Sequence, residues 1–181
     1  MTAPASPGRL LTWRSAPAPL RALARWVTIV QLVGYTTSLL FVHHTTGMTP
    51  PGVSAHYRGA ETEAEAAATD AAGADEAMQF PKSYAEMLTI THTHLLSMAA
   101  IFVFSGLALA LCERPPERWR RLLIVEPFAA LLISFASMWL MRYVDGRFSW
   151  LLALSSGLMA ATFYVQAFFV LRELARPAEA P

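Results

Sequence analysis

Residues Ser83–Cys112 read SYAEMLTITHTHLLSMAAIFVFSGLALALC. The segment opens polar, sets His92 and His94 two residues apart, and then runs apolar to Cys112. From Met87 to Cys112, 26 residues carry no Asp, Glu, Lys or Arg. At about 1.5 Å per residue this crosses the roughly 30 Å hydrocarbon core of a bilayer. Ser83 and Glu86 stand in the spacing of a capping box, and Pro81 suits a helix entry, so a helix is predicted from about Ser83. Two imidazoles near one end of a membrane helix are costly unless something uses them.

Outward from this stretch the chain repeats the pattern. Of 181 residues, 55% are hydrophobic and only 15% charged, with mean hydropathy +0.38, against about 25% charged in soluble domains. This predicts an all-α polytopic membrane protein, an antiparallel four-helix transmembrane bundle with spans at about 22–44, 84–112, 122–142 and 148–171. Residues 1–21 and 172–181 read as tails, the first disordered from its Pro, Ala and Arg content. Residues 45–83 form the long connection. Within it HHTTGMTPPGVSAHYRG is turn-rich around Pro50-Pro51-Gly52, and Ala60–Ala77 is an Ala/Glu/Asp/Thr tract. Trp26–Val42 has no Ala-x-Ala cleavage pattern after it, so it reads as an uncleaved first span. Thirteen Arg against one Lys, with abundant Ala, suggests a high-GC bacterial source.

The basic residues orient the spans. Arg9, Arg14, Arg21, Arg25, Arg114, Arg118, Arg120, Arg121, Arg172 and Arg176 fall on one side; Arg58, Lys82, Arg142 and Arg147 fall on the other. The positive-inside rule then puts both termini in the cytoplasm and residues 43–86 in the periplasm, across a bacterial inner membrane. Net charge is +1, so no global field points to nucleic acid. Cys112 stands alone, which excludes an internal disulfide, and no Cys-x-x-Cys-His encodes a covalent c-type haem.

All five histidines, His43, His44, His56, His92 and His94, fall on the outer side of that topology. His43 and His44 end the first span and His92 and His94 begin the second, so the connection returns the two pairs to one face. His92 and His94 differ by about 200° around a helix and His43 and His44 by about 100°, so one of each pair faces a given partner. Three chemistries are open. A b-type haem takes axial ligands from the 43/44 and 92/94 pairs, with Arg58, Lys82, Arg142 or Tyr57 near its propionates and Met98 against the ring. Bare copper or zinc takes three or four imidazoles of His43, His44, His56, His92 and His94, with Met48 or Met98 as a soft ligand. The third reading is a non-catalytic accessory subunit of a membrane complex, whose interfacial histidines only hydrogen-bond to neighbouring Thr, Tyr or headgroups.

Thr91-His92-Thr93-His94-Leu95-Leu96 resembles the His-x-His-Leu motif of bacterial haem-containing and haem-copper-oxidase-related membrane proteins. The wider pattern HHTTG, HYRG and FPKSYAEMLTITHTHLLSM resembles small uncharacterised four-span bacterial inner-membrane proteins. The first resemblance implies outer-end histidines holding b haem or a non-haem metal; the second implies the four-span architecture. The expectation is a membrane electron-transfer protein, a small subunit or partner of a respiratory chain, exchanging electrons with quinone and a periplasmic c-type cytochrome. Copper or zinc handling in oxidase assembly stays as the alternative.

Gln31, Glu126 and Gln166 share one depth on the inner side. They read either as interhelical hydrogen bonds or as a proton-entry or quinone-headgroup site with Glu126 titrating. Pro127 reads as lying near a helix start. Asp145 reads as a turn-level ion pair with Arg142 or Arg147. No nucleophile elbow, phosphate loop or His-Glu-x-x-His is present.

Overall fold

The computed structural model describes residues 11–59 and 80–178. Among these the chain is all helical, with no strand. The helices are α1 (Ala18–Thr46), α2 (Pro50–Arg58), α3 (Tyr84–Ala110), α4 (Glu117–Tyr143) and α5 (Phe148–Leu174). The helices α1, α3, α4 and α5 are long and apolar enough to cross a membrane, with mean hydropathies of 1.3, 1.8, 1.9 and 1.6. The capping box predicted for α3 is formed: Ser83 Oγ accepts from Glu86 N, and Glu86 Oε2 accepts from Ser83 N at 2.7 Å.

The most extensive contact is between α4 and α5; α3 packs on both, and α1 lies against α5, barely touches α3 and does not reach α4 by backbone proximity. Burial follows that order, from 11% of the apolar window in α1 to 39% in α5. Lipid tails are as apolar as leucine, so close packing and interhelical hydrogen bonds hold such helices together. Ser134 Oγ lies 2.8 Å from Ser155 Oγ and 3.3 Å from Ser156 Oγ, drawing α4 and α5 together. In the middle of the bundle Tyr35 of α1 stacks on Phe163 of α5, with ring centroids 4.4 Å apart, over Phe102, Ala130, Leu131 and Met159.

The end at which α1 begins and α5 stops, the terminal end, is tied by side chains that take backbone carbonyls. Residues 11–21 are not the free tail expected from composition, because Trp13 is 4% exposed within a cluster of Ala16, Leu109, Cys112, Val170 and Leu174. Its Nε1 donates to Ala108 O and its backbone N to Leu111 O, which satisfies the carbonyls left over at the end of α3. Arg21 and Arg25 both donate to Leu174 O at the end of α5, where cations also complement the helix dipole. Arg120, buried, donates to Cys112 O and Pro115 O.

The opposite end is closed by α2. Pro50-Pro51-Gly52, expected as a turn-rich connection, starts a helix instead. Thr49 Oγ1 accepts from Gly52 N, and the two prolines occupy the first turn, where no N–H is needed. This helix seats on the ends of α4 and α5. Arg58 Nη1 donates to Met141 O at 3.3 Å, Arg142 Nε to Lys82 O at 2.8 Å, and Lys82 N to Tyr57 O at 2.9 Å. Asp145 pairs with Arg147, Nε to Oδ2 at 3.3 Å. The Ala60–Ala77 tract lies outside the described residues.

A Cβ on Gly52 would stand 2.1 Å from Thr46 O, which is backbone and cannot yield, whereas one on Gly157 meets nothing within 4 Å. Gly52→Ala therefore lowers the melting temperature in detergent by the equivalent of about 1–3 kcal/mol, and speeds amide exchange in α2. Gly157→Ala leaves both unchanged or improved. Equal behaviour of the two variants would refute the seating of α2.

Candidate functional site

The structure puts His43, His44, His92 and His94 at the α2 end of α1 and α3, and all four are exposed. Among the described residues, no group of three or more His, Cys, Asp or Glu side chains comes together as a metal-holding set. The helices splay: α1 and α3 leave between them an apolar cleft of about 430 Å³, lined by Trp26, Val27, Val30 and Gln31 on one side and Ala100, Ile101 and Phe104 on the other.

Helical phase carries the cleft outward. At about 100° per residue, His44 lies on the same side of α1 as Trp26 and Val30, and His94 on the same side of α3 as Ile101. His43 and His92 point to other sectors. The chain direction makes α1 and α3 antiparallel, and Val30 faces Ala100 and Ile101 across the cleft. On that register His94 stands level with Thr37, and His44 lies about seven residues, or roughly 10 Å, farther toward the α2 end. Both imidazoles thus lie beyond the cleft toward the α2 end, His94 about six residues or roughly 9 Å from Ala100 and His44 farther still.

The ring of His94 is oriented by its own helix. Nδ1 lies 3.0 Å from Ile90 O, one turn back. A carbonyl oxygen only accepts, so Nδ1 carries a proton, and in the neutral imidazole Nε2 presents the lone pair on an exposed ring. This is the arrangement of a ligating histidine whose second nitrogen is fixed by a backbone carbonyl. Met98, expected against a ring, is partly buried and packs on the central Tyr35–Phe163 cluster. Arg58 is engaged with Met141 O as described above.

The inner polar residues show a second arrangement. Pro127 is not near a helix start, because α4 begins at Glu117 and places it in the helix interior. Lacking an N–H, it leaves Leu123 O without its intrahelical partner. Gln166 of α5, fully buried, donates Nε2 to that carbonyl at 2.5 Å. Close by, both carboxylate oxygens of Glu126 and Oε1 of Gln166 are buried without a hydrogen-bond partner. Tyr35 is within electrostatic range of both Glu126 and Tyr164, and Tyr164 OH is 2.8 Å from Thr36 Oγ1. The tyrosine and threonine hydroxyls were not legible as part of this group. The freed carbonyl was missed too, because a proline read near a helix start costs no intrahelical bond.

His56 sits in α2, half-buried, edge-on to Tyr57 at 5.1 Å. Burial first, and Lys82 second, push its pKa below the ordinary 6.5. The folded protein therefore favours neutral His56 more than the unfolded chain does. That contribution is present above about pH 6.5 and is lost as pH falls below it. Melting temperature in detergent is expected to drop between about pH 7.5 and 5.5, with a smaller drop in His56→Gln. An identical pH slope in the variant would contradict the burial of the ring.

A family model described as a transmembrane helical domain matches residues 47–181. The match begins at Gly47, the left-handed residue that ends α1, and so covers α2 to α5. No curated protein and no solved structure matches the chain. With about three quarters of its length under that model, the chain belongs to this transmembrane helical domain family.

Proposed function

We propose that the protein is a membrane electron-transfer protein of the bacterial inner membrane that binds b-type haem between α1 and α3, toward their α2 end. One observation carries the reading: His94 presents an unpaired Nε2 while Ile90 O holds its Nδ1–H. That donor suits haem iron, and the apolar cleft that starts nearly two turns farther along α3 suits a flat macrocycle. His44, on the same side of α1, is the second candidate ligand, and its greater distance along the axis makes His94 the principal one. When bound, the group would supply one-electron chemistry, and the chain would hold its iron by His94 and shield its face with α1. The lack of a cluster of three ligating side chains among the described residues gives bare copper or zinc less support.

In this reading the α2 end is periplasmic and both termini are cytoplasmic, which the ten-to-four distribution of basic residues supports. The protein then acts as a small subunit or partner of a respiratory chain, between membrane quinone and a periplasmic acceptor such as a c-type cytochrome.

The test is a reduced-minus-oxidised spectrum with metal analysis of the protein purified in mild detergent. The expected result is a b-type spectrum that is lost in His94→Ala and retained in His43→Ala and His56→Ala. Stoichiometric copper or zinc without a Soret band would replace this reading with metal handling. Neither haem nor metal, after expression with both supplied, would leave an accessory role.

A further inference from the structure

The buried group around Glu126 lies at the other half of the bundle from the histidines, and the reading above makes no use of it. Glu126 is about four residues, or roughly 6 Å, inside the apolar part of α4 from its terminal end. Both its oxygens are buried without a partner. Gln166, on α5, is 0% exposed; its Nε2 is spent on Leu123 O and its Oε1 has no partner. Leu123 and Glu126 are three residues apart on α4 and so share a face, which brings the Gln166 amide within a turn of the carboxyl. A carboxylate and an amide oxygen only accept hydrogen bonds. Acceptors gathered inside a bilayer, with no donor, are closed by a proton or a cation.

We propose that Glu126 is a membrane-embedded proton-binding site. The proton attaches to one carboxyl oxygen, and the O–H so formed donates to Gln166 Oε1, which gives a partner to two of the three orphaned oxygens. A proton fits better than a metal cation. The set offers one carboxylate and one amide oxygen, since Leu123 O is already occupied, and a hard cation takes six or more oxygens. The groups that face Glu126 from the packed elements agree with a neutral site. Helix α1 contributes Tyr35, within electrostatic range of Glu126, and α5 contributes Tyr164 beside Tyr35. Helix α3 presents Phe102, Ser105, Gly106 and Leu109 in its buried stripe, none titratable in the carboxylate range. On α4 itself the nearby guanidinium, Arg120, is bound to Cys112 O, Pro115 O and the Glu117 carboxylate. Beyond Tyr35, the Tyr164 hydroxyl is bonded to Thr36 Oγ1 on the exposed side of α1.

The full-length protein in detergent, treated with dicyclohexylcarbodiimide at neutral pH, tests this, because the reagent modifies protonated carboxyls in apolar surroundings. Mass mapping is expected to find the adduct on Glu126, at the same level with and without excess sodium chloride, and none at that position in Glu126→Gln. Glu126→Gln, a neutral isostere, is expected to melt at the wild-type temperature or above. Three results would overturn the proposal: no adduct on Glu126 in natively melting protein, an adduct suppressed by sodium, or a Glu126→Gln protein that melts well below both wild type and Glu126→Asp.

Discussion

A backbone carbonyl in hydrocarbon has no water to turn to, and that constraint shapes this molecule wherever a helix stops or breaks. The sharpest case is Leu123 O, freed by Pro127 in the middle of α4 and taken by the buried amide of Gln166 on α5. One proline thus creates a polar need inside the bilayer, and one glutamine on the neighbouring helix meets it. The bond sets the register of the pair that makes the most extensive contact in the bundle. The Ser134–Ser155 pair, farther along the same interface, holds that register a second time.

The same rule governs the ends. At the terminal end Trp13, Arg21, Arg25 and Arg120 each donate to carbonyls left over by another segment. At the other end Arg58 and Arg142 do so for α2 and its neighbours. Helices α3, α4 and α5 with α2 are therefore a braced unit, whereas α1 is fastened mainly by its first turns and by Tyr35. It makes little contact with α3, the cleft lies along its first half, and His43 and His44 are exposed at its far end.

The four spans, the capping box at Ser83 and the common end of all the histidines were legible because charge-free length and polar spacing are local properties of the chain. The fold of residues 11–21 was not, because the burial of Trp13 depends on where α3 ends in space. Helix α2 was misread for a related reason: Thr49 and the two prolines signal a helix start as well as a turn, and only the seat on α4 and α5 decides between them. The histidines show how far spacing alone reaches. It allowed one of each pair to face a partner. Choosing His44 and His94 required knowing which faces of α1 and α3 border the cleft. Pro127 was placed near a helix start because the charged residues 117–121 were assigned to a turn; they are the first turn and more of α4.

The bond between Gln166 and the carbonyl that Pro127 sets free is the most direct point of attack on this account. A double-mutant cycle in detergent, by thermal or denaturant unfolding, measures it. Gln166→Leu is expected to cost about 1–3 kcal/mol in the native background, the loss of a partner for a buried polar group. In a Pro127→Ala background the helix regains the N–H that Leu123 O requires, and the same substitution is expected to cost well under half as much. An equal loss in both backgrounds would contradict the account, because Gln166 would then be stabilising the bundle by something other than the proline's missing hydrogen bond.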